Sequence, residues 1–319
     1  MTKRIILVKK AGLLTTIQDL GRFGSQQYGV VVGGVMDSYS ARVANILVGN
    51  HQGEAVLEMT MIGAELAFEC DAVISICGGG LQPVIDGYRY KMWQSIQVRA
   101  GQTLSFFGNN EGVRTYVAIN GGFRGESILG SQSTYLRGRF GGNHGRPLQK
   151  GDTIKCGEAG QTIRIGQLLS PTAIPDYPTS QVIRVILGPD LDYFTKTGID
   201  TFLSSKYTIS KATDRMGYRF TGDAITHRKS ANILSDSVTF GTIQVPEEGL
   251  PIVMMADRQT TGGYPRIAHV ISVDLPKLAQ LMPGNNVYFS KIELDEAQNL
   301  YAEREFFFKR LELVRGVRR

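Results

Sequence analysis

Short apolar runs separated by glycine- and proline-bearing turns dominate the chain. Runs of strand length fall at 5–8, 72–77, 113–119, 183–187, 252–256, 270–273 and 287–292, and turn-forming residues separate them. Helical spacing is rarer. After Asp37 the apolar residues Ala41, Val43, Ala44, Ile46, Leu47 and Val48 recur with a helical period, and Gly49-Asn50 supplies a stop signal. Further helices are expected over 192–203, 274–281 and 295–313. The pattern predicts a mainly β protein, with barrels or closed sheets and a few helices packed on them.

One local pattern occurs three times, at Ala100-Gly101-Gln-Thr-Leu104, Lys150-Gly151-Asp-Thr-Ile154 and Pro283-Gly284-Asn-Asn-Val287. Each reads as a glycine turn feeding a strand. The segment Asp19-Leu-Gly-Arg22-Phe-Gly24 has a loose echo in Asp214-Arg215-Met-Gly217-Tyr-Arg219, which hints at two related barrels. A chain of 319 residues exceeds what one core usually serves. The proline-bearing stretch 170–180 is the best linker candidate, giving expected domains of 1–175 and 176–319.

Composition narrows the function classes. Glycine, at 38 residues, exceeds the usual share of about 7% and implies many tight turns. The net charge is +6, but Lys309, Arg310, Arg315, Arg318 and Arg319 place much of the excess in the C-terminal segment, which reads as a solvated end. No basic stripe interleaved with aromatics marks a nucleic-acid partner. Cys70, Cys77 and Cys156 fit neither a zinc knuckle nor a redox pair. Cys70 and Cys77 differ by an odd number along one expected strand, so they would point to opposite faces as small core residues. Three unpaired cysteines, a short N-terminal apolar segment and no run of membrane-spanning length make a cytoplasmic location the expectation, with no membrane partner.

Several chemistries find no motif. There is no phosphate-cradling GxxxxGK[ST], and Gly78-Gly79-Gly80 reads as a strand-to-turn run. His51, His144, His227 and His269 lack metal spacing, so no metal site is expected. Ser131 has no glycine two residues on, which excludes a nucleophile elbow. Chemistry is instead expected at 249–274, where the apolar run 251–256 leads directly into Asp257, Arg258, Gln259, Thr260 and Thr261. Gly262, Gly263 and Pro265 fix the loop around Tyr264 before the chain re-enters a strand at 267–273. A second cluster mixes Thr15, Thr16, Gln18, Asp19 and Arg22 with Gly33, Gly34, Met36 and Asp37.

Taken together, the segments 12–24, 33–50, 128–134, 214–220, 240–253 and 256–274 closely resemble the biotin-dependent carboxyltransferase-like family. That family includes the C subunit of bacterial 5-oxoprolinase, the KipA-like proteins and the carboxyltransferase region of urea carboxylase. The resemblance implies two cyclophilin-like β-barrel domains. A free-standing chain of this size looks most like the 5-oxoprolinase subunit, which works with a KipI-like B subunit and an A subunit to open 5-oxo-L-proline to L-glutamate with ATP. A lactam carbonyl is a poor electrophile, and phosphorylating its oxygen would create a leaving group and let water attack. The implied alternatives are carboxyl transfer from biotin to urea or a related amide, and KipA-like regulation of a KipI-like kinase inhibitor.

For such a small-molecule amide substrate, Arg258 with Arg22 or Arg215 is expected to bind the anionic group. Gln259, Thr261 and Tyr264 are expected to orient the reacting amide, and Asp257 or Asp19 to act as general base or to hold an arginine. Asp37 is placed with the substrate-binding residues. This reading has the loops around Arg22 and Arg258 converge on one cleft.

Overall fold

The computed structural model describes residues 4–108, 111–160 and 164–316. Arg318 and Arg319 of the expected solvated tail lie outside the described residues. The chain forms two compact units. One comprises the chain up to Arg22, Gly33–Tyr177 and the chain from Phe306 on; the other comprises Phe23–Val32 and Pro178–Glu305. Neither unit is one continuous stretch. The protein is mostly β, and the described residues include four α-helices: Ser38–Leu47, Lys196–Ser204, Leu275–Ala279 and Leu294–Arg315.

The first unit is built from two antiparallel sheets. In the five-stranded sheet Arg114–Ile119 pairs with Val56–Thr60 on one side and Ala72–Gly78 on the other. All six residues of Arg114–Ile119 are buried, because both faces of this sheet are covered. Val117 and Ile119 face a core shared with Ile6, Val8, Leu66 and Phe68 of the seven-stranded sheet. Tyr116 and Ala118, of opposite parity, join Val43, Ala44, Ile46 and Leu47 of the helix Ser38–Leu47. This explains why 116–119 is a continuous apolar run rather than an alternating one.

The second unit closes into a seven-stranded barrel. Its strands run antiparallel to their neighbours except at the closure, where Ser180–Leu187 lies parallel to Asn286–Lys291. Phe202, from the helix Lys196–Ser204, stacks on Phe289 at 4.7 Å between ring centroids, and Tyr207 and Phe220 complete that aromatic cluster.

The three repeated glycine turns have a common conformation. Gly101, Gly151 and Gly284 have φ of +90°, +92° and +92°, and strands begin two residues later, at Thr103, Thr153 and Asn286. Two expectations fail. The strand proposed at 270–273 ends at Val270, because the Asp274 carboxylate accepts from the Arg184 backbone N–H (2.9 Å) and guanidinium (2.7 and 2.8 Å). That anchor turns the chain, with the Asp274 N–H on the Ile271 carbonyl, into the helix Leu275–Ala279. Cys70 does not share a strand with Cys77: it lies in the turn before Ala72–Gly78, half-buried, whereas Cys77 is buried.

Candidate functional site

The barrel strand Ile252–Met254 carries the first functional cluster. It pairs with Gly217–Thr221 so that Gly217 faces Met254. The ladder then continues past both strand ends, with the Met255 N–H on the Met216 carbonyl and the Asp257 N–H on the Arg215 carbonyl, each at 2.8 Å. That register delivers Arg215 beside Asp257. The guanidinium Nε and Nη2 donate to the two Asp257 oxygens at 2.9 Å each, with both side chains buried. Of the two roles expected for Asp257, the geometry is that of a carboxylate holding an arginine.

Arg258 follows with a different environment. It is 6% exposed, yet the described residues give it no carboxylate of its own. Its Nε and Nη1 make only long hydrogen bonds, to the Val238 carbonyl (3.3 Å) and the Met255 carbonyl (3.4 Å), and the Phe240 ring lies 5.9 Å away. Desolvation pushes its pKa down to about 10, partly opposed by the neighbouring Asp257 charge. The neighbouring carboxylate, Asp257, is already engaged by Arg215. An anion placed at Arg258 gains a charge-assisted fork.

Gln259, Thr261 and Tyr264 follow Arg258 along the chain. All three are exposed; Thr261 pairs with Ser237 in a two-stranded ribbon, and the Tyr264 carbonyl accepts from buried Gln244 at 3.0 Å. His269 has no role in the sequence reading, but its Nδ1 lies 3.4 Å from Thr239 Oγ1, and it feels the charge of Arg258. The signal available is its position in Arg266–Val270, a polar residue between Ala268 and Val270 in a buried strand.

Burial, and then the Arg258 charge, hold the His269 imidazole below its ordinary 6.5. Unfolding restores the ordinary value, so acid favours the unfolded chain. This contribution is fully present above about pH 6.5 and declines as pH falls toward the folded-state value. Relative to the parent, His269→Gln is expected to lose less Tm between about pH 7 and about pH 5. Superimposable pH–Tm profiles would contradict this environment.

The N-terminal cluster lies in the first unit, whereas Arg215 and Arg258 lie in the second. Within it, Asp19 is saturated by protein donors: the Ser131 and Ser133 hydroxyls at 2.6 Å, the Gln132 N–H at 2.6 Å and the Gly21 N–H at 2.8 Å. The Gly21 contact has a counterpart at Asp214, which accepts from the Met216 N–H at 2.8 Å, so the sequence echo is a repeated aspartate turn. Arg22 is buried on the Ser133 and Ile128 carbonyls and over the Phe140 ring. Asp37 is fully buried and caps the helix Ser38–Leu47, accepting from the Ser40 N–H (2.9 Å) and hydroxyl (2.6 Å). Sequence reasoning offers Asp19, Arg22 and Asp37 as substrate-binding residues; in the structure all three side chains hold loops and a helix together. The LGSQST segment, which holds no nucleophile elbow, supplies three of the four Asp19 donors. Asp37→Ala is expected to cost about 0.5–2 kcal/mol in urea unfolding, the range for a lost N-cap; an unchanged midpoint would contradict the cap.

Among the described residues no group of three His, Cys, Asp or Glu side chains is arranged to hold a metal ion, and no helix is long and apolar enough to cross a membrane. The chemistry on offer is anion recognition by an arginine just past the end of a barrel strand, at the start of an exposed polar loop. Comparison with known proteins places the chain in a family. Residues 28–291 match the carboxyltransferase domain, subdomain A and B, and the chain belongs to that family. It is 36% identical to the C subunit of 5-oxoprolinase from Haemophilus influenzae, over 94% of this chain and 95% of the relative. It is 33% identical to the Escherichia coli protein of the same name, over 96% and 97%. Among solved structures, the urea amidolyase of Kluyveromyces lactis superposes with a TM-score of 0.92 at 27% identity, covering 98% of this chain but only 20% of that one.

Proposed function

We propose that this chain is the C subunit of an ATP-dependent 5-oxoprolinase, converting 5-oxo-L-proline to L-glutamate together with an A subunit and a KipI-like B subunit. The observation that carries the site is Arg258, a buried guanidinium whose neighbouring carboxylate is already engaged by Arg215. The substrate is a cyclic amide bearing one carboxylate, the kind of anion such a receptor accepts. Coverage favours this reading over the carboxyltransferase one, since the two 5-oxoprolinase relatives match end to end whereas this chain spans a fifth of the urea amidolyase.

In this proposal the Arg258 guanidinium binds the substrate carboxylate, and Arg215 and Asp257 keep the strand end rigid beside it. Gln259, Thr261 and Tyr264 supply hydrogen bonds at the loop. ATP phosphorylates the lactam oxygen and leaves as ADP; water adds to the activated carbon, the C–N bond breaks with the nitrogen leaving as the protonated amine, and the acyl phosphate so formed is hydrolysed by a second water to L-glutamate and inorganic phosphate. A second reading, transfer of a carboxyl group from biotin to an amide, is favoured by the close superposition on urea amidolyase. Mixing the purified chain with candidate A and B subunits, then with a biotin carrier instead, separates them. Glutamate and ADP from 5-oxoproline support the first reading; carboxylation dependent on the carrier replaces it with the second.

A further inference from the structure

The second unit holds a cavity of about 280 Å³ with Ile186 and Ile271 on one side and the start of the helix Leu294–Arg315 on the other. Leu294, Ala297, Gln298 and Tyr301 line it at spacings of three, four and seven residues, so one helix stripe forms that wall. Ala297 is the small residue of the stripe and leaves the space open. His269 and Ser272 complete the lining.

No Asp, Glu, Lys or Arg lines this cavity. Three others on the protein are each lined by charged side chains: Arg124, Glu126 and Lys155 in one, Lys229, Glu247 and Glu248 in another, Glu111 and Asp176 in the third. No lining side chain offers a carboxylate or phosphate an ion pair inside the slot. Aliphatic side chains and the Tyr301 ring suit the faces of a flat ring. The Gln298 amide offers both a donor and an acceptor, and the His269 imidazole offers a further ring nitrogen, so a ring edge with N–H beside an acceptor finds partners. The volume is at the lower end for ligand pockets and suits one ring system.

We propose that this slot binds an uncharged planar heterocycle by its amide-type edge, with Gln298 and His269 as the polar partners and Ala297 setting the size limit. The inference goes beyond the function proposed above, which places no ring here. A lactam and a nucleobase both present such an edge, and binding to the isolated full-length chain distinguishes them. Dissociation constants are measured by ligand-observed NMR for 2-pyrrolidinone, for adenine and for cyclopentanone, which keeps the ring and carbonyl of the lactam but lacks its N–H.

Both amide-type rings, or one of them, are expected to bind at least about tenfold more tightly than cyclopentanone. The tighter of the two assigns the source. Ala297→Leu, which fills the slot, and Gln298→Ala, on the helix surface, are each expected to weaken that ring at least about fivefold while circular dichroism stays unchanged. Cyclopentanone binding as well as both other rings, no detectable binding of any, or affinities unmoved by both variants would overturn the proposal. Turnover of 5-oxoproline is scored in a separate assay, so loss of the slot and loss of the proposed reaction are distinguishable.

Discussion

Arg258→Ala is expected to lower ATP-dependent 5-oxoproline turnover by the assembled enzyme at least tenfold, with a folded and slightly stabilised chain. The two halves of this expectation share one cause. Arg258 is buried with only two long carbonyl hydrogen bonds, and burial depresses its pKa to about 10. A cation held out of water without a carboxylate is a cost that the fold carries, and removing that cost outweighs the loss of the two long hydrogen bonds. The Arg215–Asp257 fork that closes the strand ends remains in place. What disappears is the receptor for an anion, and a charge-assisted fork of this kind contributes more than one tenfold step in affinity. Arg258→Lys keeps charge but not the planar fork and should fall between the two. Undiminished turnover by a folded alanine variant would remove Arg258 from the site.

The second large effect concerns stability. Asp257→Ala leaves Arg215 and Arg258 buried without the carboxylate that Arg215 holds in two 2.9 Å hydrogen bonds. Removing one partner of a buried pair typically costs about 3–5 kcal/mol. Urea unfolding should show that loss. Replacing Arg215 by Met at the same time should restore part of it, because the guanidinium that lost this partner is then gone. A loss below about 1 kcal/mol in the single variant would mean that the fork does not hold the two strand ends.

Much of the fold was legible because its elements are set by local pattern. The helix after Asp37 carries a cap, a period and a glycine stop, and it forms at Ser38–Leu47. Runs such as 113–119 and 183–187 were legible as strands because sheets buried on one or both faces need apolar residues. The strand at 270–273 was misjudged because Ile271 and Val273 are apolar in a turn that a distant partner, Arg184, imposes through Asp274.

The site was legible as residue types but not as roles. Asp19 and Asp257 look alike in sequence, each near an arginine and glycines, yet one is saturated by serine hydroxyls and the other by a guanidinium. The partner that decides each role lies 112 residues away for Ser131 and 42 for Arg215. His269 escapes sequence reasoning for a related reason. Its surroundings, Thr239 and the charge of Arg258, come from other parts of the chain.

Reconstitution decides whether this chain belongs to a lactam-opening assembly. The purified chain is combined with its A partner and its KipI-like B partner, and glutamate and ADP formed from 5-oxoproline are measured with the parent chain, with Arg258→Ala and with no third chain. Formation of both products with the parent, at least tenfold slower with the variant and absent without the chain, is the predicted result. Equal product formation in all three mixtures would contradict it.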